Sequence, residues 1–267
     1  MVRYPAVADQ FYPKDPGSLR SEVLGYLEKA AHREHAMGIV VPHAGYMYSG
    51  SVAGKVYSRI VIPRKVILMG VNHRGTGEPA AIMDSGFWRM PNGDVELDTE
   101  VASRIINHCP LVRADASAHQ YEHSLEVQVP FLQALRPDFK LTPLALSFMS
   151  YADCRSIGEA VARSIRDTGE PVLIVASSDM THYETQDSAR NKDKLAMERI
   201  AALDPEGLHR TVIRKSISMC GVIPVTTTLV ACLELGATIG EVAAYATSGD
   251  VNRDYSQVVG YAGVIIR

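Results

Sequence analysis

The feature that most constrains this chain is a recurring unit: a short run rich in β-branched residues, then a polar loop, then a stretch of helical spacing. Residues 38–41 (Gly-Ile-Val-Val) lead into Pro42-His43-Ala44-Gly45-Tyr46. Residues 66–69 (Val-Ile-Leu-Met) lead into Gly70-Val71-Asn72-His73-Arg74-Gly75, and residues 172–176 lead into Ser177-Ser178-Asp179-Met180-Thr181-His182-Tyr183. Short apolar runs closed by turn residues read as buried strands. With helical spacing over residues 50–60, the first two make a βαβ unit. Further helices are predicted over 101–108, 124–135, 157–165, 194–203 and 222–235. Further strands are predicted over 141–146, 241–245 and 258–266. An opening helix starts at Asp15-Pro16-Gly17-Ser18, with Ser18 as cap and Glu22 in its first turn, and runs to about residue 33. Residues 87–98 break the alternation, and their Pro91-Asn92-Gly93 turn predicts a hairpin. The pattern predicts an α/β fold: a single domain over 1–267 with a central, mostly parallel sheet flanked by helices.

Composition narrows the function by exclusion. The 267 residues carry a formal charge of −3, with 46% hydrophobic and 21% charged residues. That balance gives no electrostatic footprint for nucleic acid. The longest apolar stretch, 220–235, is too short to span a membrane and contains Glu234. The opening MVRYPAVADQFYPKD has no apolar export core, so the cytoplasm is expected, with its four cysteines reduced. No two cysteines are spaced C-x-x-C, which argues against a structural zinc site. There is no G-x-S-x-G elbow and no G-x-G-x-x-G after a strand. Gly45-x-x-x-x-Gly50 is followed by Ser51-Val52 where a phosphate loop needs Lys-Ser/Thr.

The polar residues gather where strands end, and in open parallel sheets ligands bind outside the carboxyl ends of the strands. His43 and His73 stand one βαβ period apart and are expected at the tips of neighbouring strands. Two imidazoles in a cleft suit a transition metal. Cys220 precedes the most apolar helix, where unpaired N–H groups would lower its pKa. A thiolate and two imidazoles would leave open positions on a metal, the pattern of a reactive site. Cys220 with one histidine is also a possible nucleophile pair. Glu122-His123-Ser124, with Glu126, opens a predicted helix, and Asp179 and His182 share a strand-end loop. His32, His35, His108, His119 and His209 have no partner pattern, and Cys109, Cys154 and Cys232 read as packing residues.

These stretches resemble the Memo family, whose prokaryotic members are often called AmmeMemoRadiSam system protein B. The resemblance rests on Val41 to Gly50 with its Pro-His-Ala-Gly-Tyr, the Asn72-His73 loop, Glu122-His123-Ser124 with Glu126, and Ser177-Ser178-Asp179 with His182. Met219-Cys220-Gly221 and the opening Arg3 to Pro13 add to it. It implies a fold similar to that of the class III extradiol dioxygenases, which hold non-haem Fe(II) with two histidines and one carboxylate. His43 and His73 match the two histidine positions, and Cys220 stands where the carboxylate is expected. Family members are described as binding iron or copper, with redox rather than ring-cleaving roles; the thiolate leaves Zn open as well. His182 and His123 resemble the histidines with acid–base or substrate-orienting roles, with Asp179 orienting them. Val71 and Arg74 depart from the family's usual Pro and Thr or His. A cationic Arg74 would disfavour a doubly charged ion, or favour an anionic substrate.

Two readings follow. In the first, His43, His73 and Cys220 hold Fe(II) or Cu, with His182, His123 and Asp179 serving a small molecule or peptide in the cleft. In the second, the cleft is a non-catalytic binding surface for radical-SAM and Ammecr-type proteins.

Overall fold

The computed structural model describes residues 1–29 and 32–267. Its strands are β1 (Val2–Arg3), β2 (Gly38–Val41), β3 (Lys65–Val71), β4 (Ala80–Ile82), β5 (Phe87–Met90) and β6 (Gly93–Glu96), then β7 (Arg113–Ala114), β8 (Lys140–Leu146), β9 (Val172–Ser177), β10 (His182–Glu184), β11 (Gly240–Thr247) and β12 (Val258–Ile266). Its helices are α1 (Pro16–Tyr26), α2 (Tyr46–Arg59), α3 (Thr99–His108), α4 (Val129–Leu135), α5 (Tyr151–Thr168), α6 (Gln186–Ala201), α7 (Pro205–Arg214), α8 (Val222–Glu234) and α9 (Gly249–Asn252).

The main sheet runs β12-β2-β9-β3-β8-β4-β7, with β10 and β11 also paired to β12. Its centre, β2-β9-β3-β8, is parallel, and antiparallel β12 and β4 flank it. The central strands are buried on both faces, which is why they read as unbroken apolar runs. Val40, Ile67, Met69 and Ile174 face one layer of core with Ile157, Val161 and Leu229. Ile39, Val41, Leu68 and Val175 face the other, with Leu19, Val56 and Phe131. The predicted hairpin forms as β5 and β6, and β1 joins it as a third strand. No helix among the described residues is long and apolar enough to cross a membrane.

Five local expectations change. Strands β2 and β3 are not neighbours, because β9 inserts between them. Asp15, not Ser18, caps α1: its carboxylate accepts from Ser18 N at 2.8 Å. The helix also ends at Tyr26 rather than near residue 33, and residues 30 and 31 of the expected span lie outside the described residues. Past that end, Glu28 N donates to Ser58 Oγ at 2.7 Å, a tertiary bond that overrides helical propensity. The crossing with α2 is tight: a Cβ on Gly54 would lie 2.2 Å from the Tyr26 carbonyl oxygen. Residues 124–135 split into a 3₁₀ turn, Glu126–Gln128, and α4, because the polar side chains of the turn bond elsewhere in the fold. Finally, α7 was not expected, although Asp204 caps it and Pro205 opens it.

Four charges clasp the C-terminal residue of the chain at the amino end of β2, on the edge of the sheet opposite the strand ends that carry His43 and His73. Arg59 bonds Glu241 at 2.7 Å and Glu34 at 3.3 Å, and Arg267 closes the ring by pairing with both carboxylates. The hydrogen bond from Arg59, aided by the charges of Arg59 and Arg267, holds Glu241 below its ordinary carboxylate range. A carboxylate whose folded pKa is depressed contributes stability above its unfolded value, about 4.3, and loses that contribution as pH falls through the folded value. Urea midpoints should therefore fall less between pH 5 and pH 3 in Glu241→Gln than in the wild type. Equal falls would remove the clasp from the acid response.

Candidate metal site at the carboxyl edge of the sheet

The insertion of β9 builds the site. Strands in a sheet lie about 4.8 Å apart, so His43 after β2 and His73 after β3 start from two strands' separation. Their rings lean together over the end of β9 to a centroid distance of 5.3 Å. His123 completes the group, 5.4 Å from the His43 ring and stacked on His73 at 4.6 Å. Each imidazole offers a nitrogen, and the three nitrogens lie within 4.8 Å of one another.

Hydrogen bonding fixes two of these rings. Ser177 Oγ donates to the Ser124 carbonyl at 2.6 Å and accepts from Gln128 Nε2 at 2.9 Å. Its one hydrogen is thus committed, so the 3.1 Å contact with His43 Nδ1 must be a donation from the imidazole. His43 Nε2 is left as an acceptor lone pair. On the other side, the Glu122 carboxylate accepts from His73 Nδ1 at 2.9 Å, from His73 N at 2.8 Å and from Ser124 N at 2.8 Å. His73 Nε2 is likewise free. A carboxylate or hydroxyl behind the distal nitrogen is how metal-binding histidines are commonly oriented.

Electrostatics keep the cluster ready for a cation. Burial, reinforced by the charges of the other histidines, holds His43 well below the usual imidazole range. Burial also lowers His123, to about 4, with His73 and Arg74 adding to the shift against the pull of Glu122. Burial works against ionising Glu122, but the hydrogen bond and charge of His73 outweigh it and hold the carboxyl near 2. The result is two neutral imidazoles beside an ionised carboxylate.

The remaining expected residues fall around this trio. Cys220 Sγ lies 3.2 Å from His43 Nε2, on the atom that a metal would take, and 3.6 Å from the Asp179 carbonyl. Its expected low pKa is overturned: desolvation raises the thiol well above its ordinary value, and the Asp179 charge adds to the rise. Helix α8 begins two residues later, and its N-terminal field does not offset that burial. Asp179 Oδ1 accepts from His43 N at 2.7 Å, so it anchors the His43 backbone rather than an imidazole ring. His182 stands outside the trio, with Nδ1 2.9 Å from the Ser218 carbonyl.

Glu126, which shares the motif with Glu122 and His123, has a different task. It is fully buried and pairs with Arg3, accepts from Ala6 N at 2.7 Å and Val7 N at 3.1 Å, and takes the Tyr12 hydroxyl. Arg3 also donates to the carbonyls of His119 at 2.9 Å and Glu122 at 2.7 Å. The N-terminal segment is thereby strapped across the site, with Phe11 packed on His123 at 4.9 Å. An open cavity of about 530 Å³ lies between this strap and the start of α2, lined by Phe11, Tyr12, Gly45, Met47 and Tyr48 among others. Glu122, Gln128 and Ser177 were not singled out as site residues from the sequence. The signal for Glu122 was its place directly before His123.

Fold and site together define an α/β protein with a histidine cluster at the carboxyl edge of its parallel strands. The sequence model of the family described as Memo-like protein matches residues 3–265. A MEMO1 family protein of Methanopyrus kandleri is 42% identical over 281 aligned positions, covering 100% of this chain and 99% of its own. Another, from Aquifex aeolicus, is 42% identical over 268 positions, covering 99% and 98%. This chain belongs to the Memo family. Its fold is the α/β architecture similar to that of the class III extradiol dioxygenases. A crystal structure of an uncharacterized protein from Escherichia coli K12 shares the fold with a TM-score of 0.56, at 14% identity, over 84% of this chain and 98% of that one.

Proposed function

We propose that the chain is a cytoplasmic metalloprotein whose site carries redox, oxygenase-type chemistry on a small molecule or peptide held in the adjoining cavity. The observation that carries this reading is the pair of imidazoles whose Nδ1 atoms are committed to Ser177 and Glu122, leaving Nε2 lone pairs beside His123. The donor set fits a borderline or soft transition ion, so Fe(II) or Cu is favoured and Zn also suits it. His43, His73 and Cys220 would hold the ion, with His123 within reach as a further or alternative ligand. Bound iron or copper would supply the one-electron chemistry that none of these side chains provides. Ser177, Gln128 and Glu122 hold the ring orientations. Phe11 screens His123 from water on the side of the strap. His182 and His123 are the groups placed to take or give protons, and Asp179 fixes the loop from which His43 reaches.

Metal analysis tests the reading. Protein purified without chelator should carry iron, copper or zinc. His43→Ala should lose nearly all of it. Cys220→Ser should keep part of the load if the three histidines suffice, and lose it if the thiolate is required. An absent load in the wild type, or an equal load in all three, would falsify the proposal.

One observation favours the second reading. Arg74 is exposed beside His73 and has no carboxylate within 4 Å among the described residues. A free guanidinium at the mouth of a cleft suits an anionic group on a partner such as the radical-SAM or Ammecr-type proteins. Partner capture that survives His43→Ala with Cys220→Ser but fails in Arg74→Ala would support that role over metal chemistry.

A further inference from the structure

Asp193 is a buried carboxylate on α6, outside every motif above, and the metal reading gives it no role. It is fully enclosed. Its Oδ1 accepts from Thr181 N at 2.9 Å, and its Oδ2 accepts from the Tyr245 hydroxyl at 2.7 Å. Among the described residues no Lys or Arg pairs with it: the nearby Lys192 pairs with Glu184, and Arg190 with Asp250. On the far side, β12 presents Gly260, where a Cβ would lie 2.0 Å from Asp193 Oδ2. A buried carboxylate without a cation is costly, so the fold maintains this one at some expense.

Gly260 and Asp193 grip one loop. Gly260 N donates to the Thr181 carbonyl at 2.9 Å, and its own carbonyl accepts from Met180 N at 2.8 Å. Asp193 takes the remaining Thr181 amide. The next residue is His182, whose amide donates to Ser218 Oγ at 2.7 Å and whose Nδ1 lies 2.9 Å from the Ser218 carbonyl. A carbonyl only accepts, so His182 carries its hydrogen on Nδ1 and leaves Nε2 free. Tyr183 follows at φ 58°, a left-handed conformation rare for a tyrosine, which persists only where its surroundings impose it. The backbone is therefore clamped immediately before and strained immediately after one imidazole.

We infer that Asp193 is a positioning residue for His182: held by Tyr245 and Gly260, it fixes the Thr181 amide and so sets the ring position and tautomer of the histidine. This rests on the reading of His182 as an acid–base group of the site. Burial raises the pKa of Asp193, with the bonds from Thr181 and Tyr245 and the His182 charge pulling it back.

The test is the pair of imidazole ¹⁵N shifts of His182 in the full-length protein kept free of iron and copper. In the wild type they should report the Nδ1–H form alone. Asp193→Ala should give averaged shifts of mixed tautomers. Asp193→Asn, whose amide oxygen still accepts from Thr181, should restore the wild-type pair, a rescue that general loosening would not produce. Tyr245→Phe removes one hydroxyl and should move the shifts part of the way, which keeps the test decisive if the alanine variant does not fold. Wild-type shifts in a folded Asp193→Ala, or in Tyr245→Phe where the former is unfolded, would overturn the inference. Metal content in wild-type protein reports separately on the metal reading, so either idea can fail while the other stands.

Discussion

Arg3→Met is expected to lower the unfolding free energy by about 3–5 kcal/mol, the usual cost of removing one partner of a buried ion pair. Arg3 and Glu126 are almost completely buried, and the substitution strands the carboxylate with only the Ala6 and Val7 amides and the Tyr12 hydroxyl as donors. For a chain of this size each kcal/mol corresponds to roughly 2–4 °C in Tm, so a fall on the order of 10 °C should appear in thermal melts followed by circular dichroism. Glu126→Leu should be no milder, because it removes the acceptor of those three donors and of Arg3 Nη1 together, leaving Arg3 a buried charge held only by two carbonyls. The damage reaches the site as well, since Arg3 is the donor to the carbonyls of His119 and Glu122. A loss below about 1 kcal/mol would mean that the strap is not anchored through this pair.

Particular residues show where the sequence was sufficient. Residues 38–41, 172–176 and 258–266 were recognisable as strands because both faces of the central sheet are covered and nearly every position is apolar. His43, His73, His123, Asp179 and Cys220 stood out as polar groups at strand or helix ends, and they do meet in space. The place of β9 did not stand out. Local patterns encode a strand, not its neighbours, and β2 and β3 accept an inserted strand without any change in their own sequences. The thiol of Cys220 was misjudged because a helix N-terminus contributes only about 0.3–1 kcal/mol at exposed positions, while burial can move a pKa by several units. Gln128 was invisible, and Ser177, seen only as part of a motif, was given no role of its own, for a related reason. A Ser or Gln on an apolar strand or turn has no periodic signature, and its value appears only when the tautomer of His43 has to be explained.

Glu122→Gln is expected to weaken metal binding 10- to 100-fold, equivalent to about 1.4–2.8 kcal/mol. Three N–H groups converge on this carboxylate: His73 Nδ1, His73 N and Ser124 N. A glutamine offers one oxygen in place of two and turns an NH₂ toward donors. At least one N–H loses its acceptor, and His73 no longer gains by keeping its hydrogen on Nδ1. The ring can then present a protonated Nε2 to the ion. The charge that balances a cation is lost in the same step. His123, whose Nδ1 lies 3.4 Å from the same carboxylate, loses the nearby negative charge as well. Because the Glu122 backbone is held separately through its carbonyl by Arg3, the fold should stay nearly unchanged and the effect should appear in binding. Competition against a chromophoric chelator at pH 7 measures it. An affinity within threefold of wild type would show that His73 needs no carboxylate behind it, and the case for a metal site organised from Glu122 would fall.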